Sequence, residues 1–320
     1  MNINKTQNPK VTVIVPVYNG QQRIGALIDS LLYQDYPRDR YDVIIVDNGS
    51  TDQSQNIIRT YGGITFLEEH DVRSSYAARN KGIAHATGEI LAFTDSDCMA
   101  DPGWIRRGVD AILEENADLA GGKVEFFFSS KQTAAEIYDS MTSMQNQIYV
   151  NSMRASTTAN LFVRARLFEE TGPFVLVKSG SDMQWTRTAT QKGYKIIYAE
   201  GAVVRHPARD RRELLEKCLR VGKGYPEVWD VFKKPLSHRY EAIKEKLLPP
   251  KISSIKDLIR ERAPGKGYEK QAVTILMVAY ICNLTTALGI LFFWQNGVPW
   301  KEKRDNGIMI NGRRICLRRS

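Results

Sequence analysis

Four short apolar runs, residues 11–17, 41–46, 64–67 and 90–93, are separated by stretches whose apolar residues fall at helical spacing. The first, Val-Thr-Val-Ile-Val-Pro-Val, is β-branched and of strand length. After it Ile24, Leu27, Ile28, Leu31 and Leu32 recur every three or four residues until Tyr36-Pro37 breaks the pattern. Ser50 or Thr51 is expected to cap a helix through Ile57 and Ile58, and Ser74 or Ser75 to begin one through Tyr76, Ala77, Ile83 and Ala84. Strand and helix in this alternation predict a parallel α/β sheet with right-handed crossovers. In such sheets ligands bind beyond the carboxyl ends of the strands, so the loops after each run are the places to look for chemistry.

Those loops carry carboxylates. The second run ends in Asp47-Asn48-Gly49-Ser50-Thr51-Asp52 and the fourth in Asp95-Ser96-Asp97. Asp95 and Asp97, two apart, share a face in extended backbone. Two hard oxygen donors suit Mg²⁺ or Mn²⁺, whose shell waters and substrate phosphates usually complete. A solvated turn would use the same residues without a ligand. Further along, a helix is expected over 102–115, strands over 119–128 and 159–163, a helix around 182–191 stopped by Gly193, and strands over 195–198 and 202–204.

The rear of the chain differs in charge. The net charge of +9 divides into 20 Lys and Arg against 24 Asp and Glu over residues 1–204, and 25 against 12 over residues 205–320, a surplus of 13. A basic rear half points to an anionic partner, nucleic acid or a phospholipid surface. Residues 272–294 favour lipid, with no nucleic acid expected, because these 23 residues hold no formal charge and can reach across a bilayer's hydrocarbon core. A buried helix of a soluble domain is the other reading. Short basic amphipathic segments (213–221, 240–248, 252–259) precede it, and seven Lys and Arg follow within 301–319. A single span would leave one basic flank on the wrong side, whereas a tilted, re-entrant or in-plane segment keeps both together. Residues 1–10 are polar, so no signal peptide is expected. Cys98, Cys218, Cys282 and Cys316 lack metal-ligand spacing and are expected as free thiols in a reducing compartment.

Taken in order, the loops resemble those of family 2 glycosyltransferases, inverting enzymes of the GT-A fold. The pieces are 13–19 (Val-Ile-Val-Pro-Val-Tyr-Asn), 46–52, 78–83 (Ala-Arg-Asn-Lys-Gly-Ile), 88–97, 159–164 (Ala-Asn-Leu-Phe-Val-Arg), 180–182 (Gly-Ser-Asp) and 193–206. The likeness covers roughly 10–207. It implies a nucleoside-diphosphate sugar donor, Asp95 at the ribose, Asp97 as ligand of a Mn²⁺ or Mg²⁺ ion bridging the two phosphates, and Asp182 as general base. The residues allow matching roles. Pro16 and Tyr18 leave the first strand in a turn that can pack on the base. Asp47 or Asn48 can bond the base edge or ribose, or merely form the turn. Arg79 can meet a phosphate or base, or pair with a carboxylate. Asp182 can also serve as a helix cap. His206 is a candidate third metal ligand or diphosphate contact, or a structural histidine. The chain departs from the family in Asn48, where many relatives carry Asp, and in Ser181, where Glu is usual.

The expected organisation is a GT-A domain over 1–207, a basic helical extension over 208–271, a membrane segment over 272–294 and a basic tail over 295–320. The acceptor would be lipid-linked or a saccharide, at the cytoplasmic face of a membrane. A sugar-phosphate nucleotidyltransferase would carry a Gly-rich basic loop after the first strand, and Tyr18-Asn19-Gly20-Gln21 is not one. A dehydrogenase would show GxGxxG there. A non-catalytic membrane-surface module fits the basic half but leaves the strand-end carboxylates without a role. Gln184-Trp185-Thr186-Arg187 is similar to the start of a processive synthase motif, but Thr188 stands where Trp is needed, so one sugar per encounter is expected.

Overall fold

The computed structural model describes residues 8–228, 236–295, 308–310 and 313–315. Its centre is an eight-stranded sheet: β1 (Val11–Val17), β2 (Tyr41–Asp47), β3 (Thr65–Glu68), β4 (Ile90–Thr94), β5 (Met99–Ala100), β6 (Leu119–Phe127), β7 (Asn160–Arg164) and β8 (Ile196–Pro207). The spatial order is β3-β2-β1-β4-β7-β6-β8-β5. Helices α1 (Ile24–Leu32), α2 (Ser54–Arg59), α3 (Ser75–His85) and α4 (Trp104–Glu114) connect the first strands. Then come α5 (Ala134–Thr142), the short α6 (Asn146–Ile148), α7 (Arg166–Thr171) and α8 (Ser181–Gln191). The rear adds α9 (Arg211–Val228), α10 (Leu236–Leu247), α11 (Ile252–Arg262) and α12 (Ala272–Gln295), with a two-stranded antiparallel pair, β9 (Ile308–Ile310) and β10 (Arg313–Ile315).

Each of the first four runs is a strand within one residue of expectation, because every residue of β1 and of β4 is buried between two layers of helix. One core joins β1 and β2 to α1 and α4 through Leu27, Leu31, Trp104 and Ile112; the other joins β4 and β7 to α7 and α8 through Phe93, Leu161, Phe168 and Trp185. Each such fully buried side chain contributes about 1.5–3 kcal/mol.

The sheet is mostly parallel, as expected, with antiparallel pairs at β7 and β5. β1, β2, β3 and β4 run parallel, but β7 lies antiparallel between β4 and β6, and β5 is antiparallel to β8. The reversal places the start of β7 beside the end of β4, with Asn160 opposite Thr94. Two expectations change. The strands over 195–198 and 202–204 are one strand, β8, with a register shift opposite Gly122 and Lys123. Ser50 and Thr51 do not cap α2, which begins at Ser54 without a side-chain cap; Ser50 Oγ instead accepts from the Asn19 amide at 2.9 Å. Ser74 does cap α3, accepting from the Tyr76 amide.

The basic segments form helices longer than expected, and the apolar stretch is α12, packed lengthwise on the protein. Cys98, Cys218 and Cys282 are free thiols. The readings of residues 1–7, most of the tail and Cys316 lie outside the described residues.

Candidate functional site

The carboxyl ends of β1, β2 and β4, the entry to β7, the first turn of α8 and the flank of α9 surround one open cleft of ≈1060 Å³. Of the residues singled out in the sequence, Pro16, Tyr18 and Asn48 line one part of it, and Arg79, Asp95, Asp97 and Asp182 the rest. Asp47 and His206 do not line it; both are fully buried just behind its wall.

At the end formed by the β1 and β2 loops, Asp47 Oδ2 accepts from the amides of Gly49 and Ser50 and from Gln55 Nε2. Its Oδ1 is buried without a partner. Such an orphaned acceptor costs about 1–3 kcal/mol unless something donates to it. Asn48 uses its amide to hold the neighbouring loop, donating to the carbonyls of Glu69 and Val72 at 3.1 and 2.8 Å. Tyr18 lies under the Arg73 guanidinium. Arg79, buried on α3, pairs with Asp95 at 2.5 Å, which fixes both at the cleft's floor.

The short β5, paired to β8, draws Asp97 to the far end of β8. There His206 Nε2 stands 3.3 Å from Asp97 Oδ2. His206 Nδ1 lies 2.6 Å from the Pro207 carbonyl, which can only accept, so Nδ1 carries a proton. In the neutral ring the Nε2 lone pair then faces both the carboxylate and Arg209 Nη2, 3.2 Å away, so a cation held by the two side chains would take the guanidinium's place. Burial alone would raise the Asp97 carboxyl, but a protonated His206 and Arg209 outweigh it and hold it at about 2; the neutral ring that a cation needs gives up the His206 share and keeps that of Arg209. Cys98 Sγ completes a group within 4.8 Å, yet burial pushes its thiol up, so it stays protonated and leaves an oxygen–nitrogen donor set. Carboxylate plus neutral imidazole fits Mn²⁺ or Mg²⁺ better than a thiolate-seeking metal.

Across the cleft Gly180, at φ +90°, turns the chain into α8 and puts Asp182 in its first turn. Negative charge is favoured at that end of a helix. Asp182 Oδ1 accepts from the Tyr76 hydroxyl at 3.1 Å and the Met183 amide at 3.0 Å. Oδ2 accepts from the Thr158 amide and hydroxyl at 3.0 and 3.2 Å. Burial pushes the Tyr76 phenol well up, so it remains a donor. Ser181 Oγ is buried without a partner next door.

Sequence reasoning missed Tyr76, Thr158 and a third group. The fully buried Asp139 of α5 binds Arg209 Nη1 at 3.2 Å and Lys217 Nζ at 3.1 Å, and Arg209 Nη2 reaches His206 Nε2 at 3.2 Å. Arg209 and Lys217, so held, stand with Arg220 beside Asp97 as a wall rich in cations, among which Glu213 and Glu216 also lie. The clustering of basic residues after 205 is the one trace of this wall in the sequence.

A family model described as "Glycosyl transferase family 2" matches residues 12–183. Glycosyltransferase AglE of Haloferax volcanii is 40% identical over 296 residues, covering 89% of this chain and 96% of that protein. Glycosyltransferase GlyA of Streptococcus pneumoniae is 28% identical over 207 residues, 59% of this chain and 29% of that protein. Among solved structures, the mannosyltransferase PcManGT of Pyrobaculum calidifontis, in complex with GDP-Man and Mn²⁺, superposes with a TM-score of 0.59 at 19% identity, covering 87% of this chain and 88% of that one. TarS 1–349 of S. aureus, in complex with UDP, gives 0.52 at 17% identity, covering 95% and 98%.

Proposed function

The chain belongs to glycosyl transferase family 2, and on that premise we propose an inverting, metal-assisted enzyme that moves one sugar from a nucleoside-diphosphate sugar to a hydroxyl acceptor. That it is a glycosyltransferase, and that its fold is the GT-A fold, follow from the family and the solved neighbours. The observation that carries the finer reading is that Asp97 and Asp182, from elements 85 positions apart in the chain, line one cleft.

The nucleotide lies along Pro16, Tyr18 and Asn48, and the buried Oδ1 of Asp47 behind them would take a donor from the base or ribose only if that wall opens. Asp95, held by Arg79, takes the ribose. The solved neighbours are in complex with GDP-Man and UDP, which supports a nucleoside diphosphate as the donor handle. Asp97 and His206 would hold Mn²⁺ or Mg²⁺. When bound there, the ion supplies charge neutralisation for the departing diphosphate.

Asp182 is the general base. The acceptor hydroxyl gives its proton to this carboxylate as its oxygen attacks the anomeric carbon from the face opposite the diphosphate; the bond to the diphosphate breaks and the configuration inverts. Thr158 supplies two of the four donors on Asp182, and rotation of its hydroxyl frees Oδ2 for the incoming proton. The cationic wall of Arg209, Lys217 and Arg220 flanks the acceptor's entry, and α12 adds an apolar surface nearby. Both support a lipid-linked or saccharide acceptor used at the cytoplasmic face of a membrane, with residues 1–207 catalytic and 208–320 serving that surface.

Incubation with a panel of nucleotide sugars and Mn²⁺ tests the reading. Slow release of free nucleoside diphosphate, with an inverted anomeric product once acceptor is added, is expected. Pyrophosphate from a nucleoside triphosphate plus sugar phosphate, or no turnover of any donor, would overturn it.

A further inference from the structure

Helix α12 is long and apolar enough to cross a membrane, yet its packing opposes a crossing. One side is buried along the helix. Ala272, Ile275 and Ala279 pack with Ile137 of α5 and Ile255 and Ile259 of α11. Cys282 packs with Leu214 of α9, and Ala287 and Ile290 with Ile243 of α10. At the centre the backbones of α9 and α12 touch: a Cβ on Gly289 would lie 2.6 Å from the Leu219 carbonyl oxygen, and one on Gly222 would lie 2.3 Å from that of Thr286. α9 is therefore strapped to α12. It also carries Arg211, Arg212, Lys217, Arg220 and Lys223. Carrying α12 through hydrocarbon would carry these charges with it, at a cost no partner in the lipid offsets.

The opposite side of α12 is bare. Val273, Met277, Ile281, Leu288 and Phe292 are 61%, 60%, 44%, 60% and 52% exposed and fall along one stripe. Leu247 and Leu248 at the end of α10 extend it, 48% and 59% exposed. The Tyr280 hydroxyl ties that corner in by donating to the Leu247 carbonyl at 3.1 Å. The surrounding chain is basic: residues 236–271 hold nine Lys and Arg against five Asp and Glu, with Lys244, Lys251, Lys256, Lys266 and Lys270 exposed. An apolar stripe on a net basic stretch of chain is complementary to a leaflet of anionic phospholipid: acyl chains meet the stripe and headgroup phosphates attract the exposed ammonium groups.

We propose that α12 does not span the membrane but lies in the plane of one leaflet, stripe inward, docking the full chain on an anionic bilayer with the catalytic cleft outside it. The proposal deepens the membrane-surface reading above, and it is measured with lipid alone, so transfer to any acceptor can fail while docking stands.

The full chain, purified without detergent, is floated with preformed vesicles of phosphatidylglycerol and phosphatidylcholine, and with phosphatidylcholine alone. Binding to the anionic vesicles is expected, falling with salt and released by alkaline carbonate. Met277→Glu and Leu288→Glu, both at exposed positions, should each weaken binding roughly tenfold or more while leaving hydrolysis of the soluble donor and the melting temperature unchanged. In membranes from cells expressing the full chain with an epitope tag at each end, protease should reach both tags from the same side. Three results would overturn the proposal: retention after carbonate with the two tags cleaved from opposite sides, which means a span; binding by both glutamate variants equal to that of the native chain; or no vesicle binding but a dimer that these substitutions dissociate, which means that a second copy covers the stripe.

Discussion

Replacing Asp182 by Asn separates the base reading from a structural one. The native carboxylate accepts four hydrogen bonds, two at each oxygen. An amide keeps one acceptor oxygen and presents two N–H donors at the other position. The hydroxyls of Tyr76 and Thr158 can rotate to accept, but the amides of Thr158 and Met183 cannot. Whichever way the side chain turns, one backbone N–H loses its partner, which costs about 1–3 kcal/mol of stability and lowers the melting temperature by a few degrees. The chemistry should suffer more. A general base contributes about 10²–10⁴-fold, or ~2.7–5.4 kcal/mol of barrier at 1.36 kcal/mol per decade. The assay is nucleoside diphosphate release at saturating donor and acceptor, beside calorimetric affinity for the nucleoside diphosphate, which should not change. A folded Asp182→Asn enzyme transferring sugar within about threefold of the native rate would refute the assignment.

Asp97→Asn should abolish tight Mn²⁺ binding, read by electron paramagnetic resonance of free Mn²⁺, and lower kcat at least about 100-fold with little change in melting. Because Asp97 is held at about 2, the native metal site should not lose its carboxylate charge between pH 5 and 8. Tyr76→Phe removes a donor from Asp182 and an acceptor from the Gly180 amide, so about tenfold lower kcat is expected with unchanged KM for the donor. Asp139→Asn leaves Arg209 and Lys217 without their buried counter-charge and should cost about 3–5 kcal/mol in urea denaturation at pH 7. Burial would raise the Asp139 carboxyl, but Lys217 and Arg209 outweigh that and depress it. The native advantage should therefore be full above the unfolded carboxylate's value of about 3.9 and vanish as pH falls through the lower folded value.

The strands were legible where both faces are buried, since β1 and β4 announce themselves as unbroken apolar runs. The direction of β7 was not. It depends on how α5 and α6 carry the chain back, and nothing local in Asn160–Arg164 records that path. The same limit applies to the site. Strand-end carboxylates could be picked out because the α/β sheet dictates where ligands go. Tyr76, 106 positions before Asp182, and Asp139, 70 before Arg209, acquire their roles only through tertiary approach. Asn48 was read as a nucleotide contact, and the structure adds that its amide already braces the loop at Glu69 and Val72. Helix α12 passes the length test for a span, whereas the Gly222–Gly289 crossing that binds it to α9 emerges only from the packing.

One cation, held where β4 and β8 end, is central to the proposed mechanism. Crystals grown with Mn²⁺ and a nucleoside diphosphate, measured at the manganese absorption edge, test this most directly. A single anomalous peak within bonding distance of Asp97 and His206, with the diphosphate against it and Asp182 across the cleft, is the predicted result. A peak elsewhere, or a diphosphate bound with no ion at those two side chains, would contradict it.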